Sequence, residues 1–219
     1  MSSARGVFIT FEGGEGSGKS TQIDLLAARL EACGLLVVRL REPGGTVVGE
    51  AVRAALLDPE HAGMSARAEL LLYEASRAEL VERRIRPALA AGEVVLCDRF
   101  YDSTTAYQGY GRGLPLDDVI ELNEIGTGGL EPDLTLVLDI DPRVGLGRAT
   151  ATGADRLEAE EITFHERVRE GFLRISDSEP SRVVVVDAGG EPSSVAARVL
   201  AVVCARLPVL VVALECEPS

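Results

Sequence analysis

The stretch "GGEGSGKST", Gly13 to Thr21, is the feature that most narrows the folds open to this chain. It fits the pattern G-x-x-x-x-G-K-[S/T] and lies directly behind the apolar run "VFITFE" (7–12). Between a strand and a helix, such glycines let backbone N–H groups curl around phosphate oxygens, and the helix N-terminus adds partial positive charge. The motif therefore predicts a strand, a phosphate-binding loop and a helix, with a nucleoside triphosphate as the ligand.

Two residues at the end of this loop carry side chains suited to a triphosphate and its metal ion. We expect Lys19 to reach the terminal phosphates and Ser20 to offer its hydroxyl to Mg²⁺. The predicted triphosphate-binding set is Gly13, Gly14, Glu15, Gly16, Ser17, Gly18, Lys19, Ser20 and Thr21.

Apolar and β-branched runs alternate with helical patterns along the chain. The runs are at 7–12, 35–40, 93–98, 134–140 and 182–188, and their lengths are typical of strands buried on both faces of a parallel sheet. A helix that Gly34 can end carries Ile23, Leu26 and Leu30 on one face. Further helices are predicted near 66–91, 117–126, 142–151, 161–176 and 193–206. This alternation predicts a doubly wound α/β fold, with a five-stranded parallel sheet flanked by helices.

Length, charge and cysteine usage limit the class of protein. The 219 residues suffice for one sizeable core and no linker divides them, so we expect a single domain over 1–219. A net charge of −13 argues against a nucleic-acid partner. Because charged residues and a proline interrupt the apolar C-terminus, no membrane span is expected. The four cysteines lack metal-type spacing, which favours free thiols and a cytoplasmic protein.

Two segments stand apart from the predicted sheet and helices. The polar, irregular stretch "ATATGADRLEAEE" predicts a lid at approximately 148–161. The segment 207–219 is an extension whose role the sequence leaves open between an added edge strand and an interface.

A second functional signal lies in "VVLCDRFYDSTTAYQG" (94–109). Asp98 ends a predicted buried strand, where its carboxylate can either approach the phosphate loop and Mg²⁺ or cap the next element. Arg99 follows at the carboxyl end of that strand, where open α/β sheets bind ligands, and its guanidinium suits a second phosphate. The predicted metal ligands are therefore Ser20 and Asp98.

Several further motifs follow one another along the chain. In order with the phosphate loop they are "FEGGEGSGKST", "REPGG" (41–45), "YEASR" (73–77), "DRFYDSTTAYQG" (98–109) and "PDLTLVLDI" (132–140). Together they resemble the motifs of bacterial thymidylate kinase, and the resemblance runs from about residue 6 to about residue 190. It implies a P-loop nucleotide kinase fold, a homodimer, and phosphorylation of dTMP to dTDP by ATP with Mg²⁺.

The same resemblance implies where the acceptor nucleotide binds. Tyr73 would stack on thymine and Arg77 would hydrogen-bond its edge; their i, i+4 spacing places both on one helical face. Thr104 and Gln108 would complete the base side, and Tyr107 would crowd the 2′ position of the sugar.

Charged residues would hold the rest of the acceptor. Arg41, Arg53 and Arg99 would clamp the dTMP phosphate, and Pro43 would shape the turn that presents Arg41. Glu15 matches a carboxylate near the acceptor sugar or its metal, and Glu158 another acidic position that faces the acceptor. The implied dTMP-binding set is Arg41, Pro43, Arg53, Tyr73, Arg77, Arg99, Thr104, Tyr107, Gln108 and Glu158.

The lid departs from part of the family. Relatives without an arginine in the phosphate loop carry catalytic arginines in the lid, and the phosphate loop of this chain has no arginine. In the lid, however, threonine occupies positions 150 and 152, where some relatives repeat arginine. We expect Arg148 and Arg156 to close over the transferring phosphoryl group. The predicted catalytic set is Lys19, Arg99, Arg148, Arg156 and Glu15.

Two other functions are compatible with parts of the sequence. A deoxynucleoside kinase would need a carboxylate base, for which Glu12 and Glu42 are candidates, whereas a phosphate acceptor needs none. A non-enzymatic P-loop switch would have no use for a pyrimidine pocket. His61 and His165 are both expected to be solvated rather than ligands.

Overall fold

The computed structural model describes residues 5–149 and 156–210. Five strands within these ranges form one sheet. The strands are β1 (Val7–Glu12), β2 (Val37–Arg41), β3 (Val94–Asp98), β4 (Leu134–Asp139) and β5 (Val183–Asp187). All pairings are parallel, in the order β2-β3-β1-β4-β5. The predicted α/β fold with a five-stranded parallel sheet is therefore confirmed.

Helices connect successive strands and cover both faces of the sheet. They are α1 (Lys19–Ala32), α2 (Val47–Leu57), α3 (Ala66–Leu80), α4 (Arg86–Ala90), α5 (Tyr101–Thr104), α6 (Leu116–Thr127), α7 (Pro142–Ala149), α8 (Ile162–Ser178) and α9 (Pro192–Arg206). In a search of the described residues, none of these helices is both long and apolar enough to cross a membrane.

Two π-helical segments interrupt the helical pattern. The first, Val81–Ile85, lies between α3 and α4, so the single helix predicted over 66–91 is divided. Pro87 lies in the first turn of α4 and cannot donate a backbone hydrogen bond to the preceding turn, and the wider π turn accommodates this loss. The second segment, Thr105–Gly111, follows α5 directly. It carries part of the predicted acceptor site.

The core lies on the two faces of the sheet. On one face, α1 and α9 pack against alternate residues of β1, including Ile9 and Phe11, which are fully buried. On the other face, Phe8 and Val95 pack with α3 and α4. β1 is buried at every position, including Thr10 and Glu12, and its apolar side chains lie on both faces, as expected of a central parallel strand.

A buried polar network fixes α5 against the sheet. The Asp102 carboxylate accepts from both terminal nitrogens of Arg182, at 2.7 and 2.9 Å, and from the Thr135 hydroxyl at 3.1 Å. The hydroxyls of Thr10 and Thr135 lie 2.8 Å apart. The network thus ties β1, β4 and the start of β5 to the helix that precedes the second π segment.

The predicted C-terminal extension begins with residues that join the core. Leu207 and Leu210 are buried in the same cluster as α1 and α9. Residues 211–219 lie outside the described part of the chain.

Candidate active site

The phosphate loop joins β1 to α1 with backbone conformations that only glycine adopts readily. Gly13, Gly16 and Gly18 have φ angles of 128°, 61° and 90°. A Cβ at Gly16 would collide with the carbonyl oxygen of Gly145 in α7. The loop therefore lies directly against α7 and leaves no room there for a side chain.

Lys19 opens α1 and spans the loop. Its Nζ donates to the carbonyl oxygens of Gly13 and Gly14, at 3.1 and 2.9 Å. Burial, followed by the nearby charge of Arg99, lowers the pKa of Lys19. The ammonium group is thus held at the mouth of the loop, where it can reach a bound phosphate.

Ser20 and Asp98 meet beside the loop. The Ser20 hydroxyl donates to Oδ2 of Asp98 at 2.9 Å. A hydroxyl and a carboxylate are oxygen ligands of the kind that Mg²⁺ binds, together with water and phosphate oxygens. Over the described ranges, no cluster of three or more His, Cys, Asp or Glu that could hold a metal is found. The pair fits an ion that takes most of its ligands from a bound triphosphate and water.

Arg99 is held in an unusual backbone conformation by its side-chain contacts. Its φ is 68°, in the left-handed region that disfavours non-glycine residues. Its guanidinium donates to Oε1 of Glu15 at 2.7 Å, to the Gly13 carbonyl oxygen at 3.1 Å and to Ser103 at 3.2 Å. It also lies 4.9 Å from the ring centroid of Tyr107. A permanent positive charge is therefore fixed between the phosphate loop and the second π segment.

Glu15 is the carboxylate partner of this cation. Burial alone would raise its pKa, but Arg99, Lys19 and a 2.7 Å hydrogen bond from the Tyr107 hydroxyl lower it to about 2. Glu15 is therefore ionised at every pH at which the protein would work.

Glu12 lies deeper, at the end of β1. It accepts from the backbone N–H of Phe100 at 2.7 Å and from the Ser103 hydroxyl at 2.5 Å. Burial, reinforced by the charge of Asp102, raises its pKa to about 8. Both carboxyl oxygens are thus engaged as acceptors, and Glu12 supports the backbone of the segment that follows β3.

A cleft of about 690 Å³ runs along the carboxyl ends of the strands and brings most of the predicted site together. It is lined by the loop from Glu15 to Thr21 and, beyond it, by Arg41, Pro43, Arg53, Tyr73, Asp98, Arg99, Arg148 and Glu158. A smaller pocket opens beside Tyr73 and Arg99 and is lined further by Arg77, Thr104, Tyr107 and Gln108. Gly13 and Gly14, at the start of the loop, line a separate small pocket together with Glu15 and His165.

Arg77 is more constrained than a residue that only contacts a ligand. It is fully buried; Nε donates to Oε2 of Glu42 at 2.9 Å, Nη2 donates to the Thr104 hydroxyl at 2.9 Å, and Nη1 contacts Glu74. Burial raises the pKa of Glu42 to about 7 despite the charge of Arg77, and raises the pKa of Glu74. Arg77 thus lines the small pocket while it neutralises two buried carboxyl groups.

The other two predicted phosphate ligands lie at the opposite wall of the cleft. Arg41, at the end of β2, pairs with Glu50 through two hydrogen bonds of 3.1 and 3.0 Å. Arg53 on α2 donates to the carbonyl oxygen of Pro43 at 3.0 Å. These contacts hold both cations beside the turn that Pro43 belongs to.

The predicted lid arginines lie in different places. Arg148, near the end of α7, lines the cleft. Arg156 is buried against α3, where its Nη1 lies 2.6 Å from Oε2 of Glu69. Residues 150–155, including both threonines at 150 and 152, lie outside the described residues.

One expectation, that of a solvated His165, is wrong. The side chain is 4% exposed and packs edge-on against Phe164, because His165 lies under the phosphate loop, beside the apolar stripe of α8. Burial lowers its pKa. His61, by contrast, is exposed, and its Nδ1 lies 2.9 Å from the carbonyl oxygen of Ala55.

Comparisons with known proteins agree on one family. The family model for thymidylate kinase matches residues 11–199. The chain is 56% identical to a thymidylate kinase of Synechococcus sp. (strain JA-3-3Ab) over 203 residues, covering 92% of this chain and 97% of that protein. It is 50% identical to one of Deinococcus radiodurans, covering 93% and 98% of the two chains.

This chain belongs to the thymidylate kinase family. The crystal structure of thymidylate kinase from Ehrlichia chaffeensis is similar in fold, with a TM-score of 0.75, 38% sequence identity, and coverage of 91% of this chain and 99% of that one. The resemblance predicted from the motifs is therefore confirmed, and the chain is that of a P-loop kinase.

One wall of this thymidylate kinase cleft was not predicted from the sequence. It is formed by Ala188, Gly190, Glu191, Pro192 and Val195, at the end of β5 and the start of α9. A signal was available, because "GGEP" (189–192) follows the last predicted strand and thus lies at the same sheet edge as the phosphate loop. Leu57 and Leu157, which also line the cleft, carry no comparable signal.

Proposed function

We propose that this member of the thymidylate kinase family transfers the terminal phosphoryl group of ATP to the 5′-phosphate of dTMP, forming dTDP for dTTP synthesis. The observation that carries the proposal is the continuity of the cleft. The cleft extends from the phosphate loop around Lys19 to Arg99 and Tyr73. These two residues also line the small pocket, to which Arg77 contributes. A donor and a nucleotide acceptor can therefore lie end to end.

We assign the donor to the phosphate loop. The loop from Gly13 to Thr21 would hold the ATP phosphates, with Lys19 on the terminal ones. The β5–α9 wall lies on the same side and offers apolar surface for the donor's base. Ser20 and Asp98 would hold Mg²⁺, whose charge would offset the negative charge of the phosphate groups.

We assign the acceptor to the opposite half of the cleft. Arg99 would bind its phosphate, because the side chain has five N–H donors and can share them between Glu15 and a phosphate oxygen. Arg41 and Arg53 would complete the phosphate site from the β2 and α2 side, beside Pro43.

The small pocket would hold the nucleoside. Tyr73 would stack on thymine, and Arg77, Thr104 and Gln108 line the pocket that would receive its polar edge. Tyr107, whose hydroxyl is tied to Glu15, would lie against the sugar. Glu15 and Glu158 would face the sugar from the loop and from the predicted lid.

The chemistry requires no general base from the protein. A monophosphate has a second pKa of about 6 and is largely a dianion at neutral pH, so its oxygen can attack without losing a proton. Catalysis then consists of in-line positioning and charge neutralisation, for which we assign Lys19, Arg99 and Arg148. The deoxynucleoside kinase alternative is not favoured, because its candidate bases are buried and engaged: Glu12 by Phe100 and Ser103, Glu42 by Arg77.

We also expect a cytoplasmic homodimer without a nucleic-acid partner. Exposed apolar side chains on α2 and α3, such as Val47, Val48 and Leu71, offer surfaces for a second copy. Light scattering coupled to gel filtration of the full chain measures the oligomeric state directly.

An acceptor panel tests the proposal. ADP release from ATP and Mg²⁺ is measured with dTMP, dUMP, the ribonucleotide of thymine, dCMP and thymidine. Turnover that strongly favours dTMP is the expected result. Turnover of thymidine itself, or nucleotide binding with no acceptor-dependent release, would contradict the proposal.

A further inference from the structure

The Glu69 carboxylate on α3 gathers side chains from two separate segments, the second π segment with Arg112 at its end and the segment that begins at Arg156. It is fully buried, and Arg112 donates to both of its oxygens at 3.1 Å. Gln108 donates to Oε1 at 2.8 Å, and Nη1 of Arg156 lies 2.6 Å from Oε2. Although burial favours the protonated acid, the hydrogen bonds from Arg112 and Gln108 lower the pKa of Glu69. It is therefore a stable anionic anchor.

Arg156 is fixed at two further points. Its Nε donates to the carbonyl oxygen of Leu56 at 2.6 Å, and its backbone N–H donates to that of Leu57 at 3.4 Å, both at the end of α2. Glu160, four residues on, pairs with Arg112 at 2.6 Å. The segment 156–160 is thus attached at each end to the same group of charges.

The residues between these attachments face the proposed acceptor site. Leu157 is 6% exposed, lines both the cleft and the small pocket, and packs in a cluster with Tyr107. Glu158 lines the cleft. Because both residues directly follow Arg156, its anchoring determines where they lie.

The same carboxylate also connects the two elements that form the walls of the small pocket. Glu69 lies one helical turn before Tyr73 on α3, and its partner Gln108 is adjacent to Tyr107. A single buried anion therefore sets the relative positions of α3, the second π segment and segment 156–160.

We propose that Arg156 is a positioning residue that holds Leu157 and Glu158 against the acceptor nucleotide through Glu69, rather than a group that contacts the transferring phosphoryl. This proposal rests on the proposed function, because the acceptor is the nucleotide assigned to the small pocket. It replaces the role predicted for Arg156 from the sequence. The buried Nη2 of Arg156 has no hydrogen-bond partner in the described ranges, so the test must separate positioning from direct contact.

The test compares Arg156→Gln and Arg156→Lys in the full chain. Glu69 keeps Arg112 and Gln108 in both variants, so the carboxylate is not left unpaired; thermal unfolding checks that each variant folds. Arg174→Gln is the matched control, since it breaks an exposed arginine–glutamate pair on α8, with Glu170. Three kinds of measurement are made. Calorimetry gives the dTMP dissociation constant, steady-state kinetics give kcat and the KM for each substrate, and amide hydrogen exchange is followed across 156–160.

For Arg156→Gln we expect the dissociation constant and KM for dTMP to rise by at least about tenfold, because a displaced segment weakens acceptor binding. The KM for ATP and kcat should change by less than about threefold. Exchange across 156–160 should accelerate. Arg156→Lys keeps a positive charge beside Glu69, so its dTMP affinity and exchange rate should lie between those of Arg156→Gln and the wild type. The control Arg174→Gln should match the wild type.

Two results would overturn the proposal. A fall in kcat of about 100-fold or more with unchanged dTMP affinity would show that Arg156 acts on the transferring group. If affinity, turnover and exchange were all unchanged in Arg156→Gln, the Arg156–Glu69 pair would not position the acceptor-facing residues. Failure of the proposed function is visible separately, because the wild type would then not bind dTMP, while the exchange measurement would still decide whether Arg156 anchors segment 156–160.

Discussion

Replacing Arg77 by methionine removes the cation that neutralises two buried carboxyl groups. The side chains of Arg77, Glu42 and Glu74 are 1%, 3% and 8% exposed. Methionine fills much of the volume but offers no charge and no N–H donor. Glu42 and Glu74 would then be buried without a partner cation, a situation that costs about 3–5 kcal/mol when both groups stay ionised.

Protonation limits this cost at low pH. Burial already raises the pKa of Glu42 from 4.5 to about 7 with Arg77 present, and without Arg77 it must rise further. An acid whose pKa is higher in the folded protein holds its proton there more tightly than in the unfolded chain, so rising pH favours unfolding up to the folded pKa. The loss of folding stability that Glu42 causes with rising pH therefore ends near pH 7 in the wild type. In Arg77→Met it continues above pH 7. The extra destabilisation should therefore grow by about 1.4 kcal/mol per pH unit above pH 7.

Urea unfolding at pH 6, 7, 8 and 9, followed by circular dichroism, measures the difference in free energy of unfolding. We expect a small loss at pH 6 that grows toward about 3–5 kcal/mol at the highest pH. The control Arg174→Met, which removes one partner of the exposed pair with Glu170, should follow the wild type at every pH. A pH-independent loss, or one below about 1 kcal/mol at pH 9, would refute the assignment of the cluster as two carboxyl groups held by one arginine.

Three further predictions concern the reaction. Lys19→Met should lower kcat at least about 100-fold while the protein still folds, because the lost ammonium serves the phosphates; steady-state kinetics measure this, and a change below about tenfold would contradict the role. Arg148→Ala should lower kcat by about 1000-fold with little change in either KM, as expected for a cation that acts on the transferring phosphoryl group; a rise in KM at constant kcat would instead assign it to substrate binding. The rate should fall below about pH 6 as the acceptor monophosphate gains a proton. Arg99 and Tyr107 help to lower the pKa of Glu15 to about 2, so Glu15→Gln should leave the fall in rate near pH 6 in place. If this fall disappeared in the variant, its assignment to the acceptor phosphate would be contradicted.

The sheet and the phosphate loop could be predicted from the sequence because their signals are local. A run such as "VFITFE" places apolar side chains on both faces of a strand only when both faces are buried, and the observed β1 is buried at each residue. The glycines at 13, 16 and 18 have positive φ values that few other residues adopt. Such requirements can be deduced from residue types and spacing alone.

The remaining features depend on contacts between distant segments. The π-helical segment at Thr105–Gly111 places Gln108 beside Glu69, 39 residues earlier in the chain, and no local spacing predicts this. Arg156 was predicted to act on the phosphoryl group because relatives without an arginine in the phosphate loop carry catalytic arginines in the lid. No local spacing predicts its pairing with the buried Glu69 on α3. His165 was expected in solvent because its helix is rich in charge, but the phosphate loop covers that part of α8.

The most direct test of the central claim follows the phosphoryl group itself. ATP labelled at the γ-phosphate is incubated with the protein, Mg²⁺ and dTMP, and the products are separated and identified. The account predicts that the label appears in the β-phosphate of dTDP, with one ADP formed for each dTDP. Label that appears only in inorganic phosphate, or that reaches thymidine but not dTMP when both are offered, would contradict it.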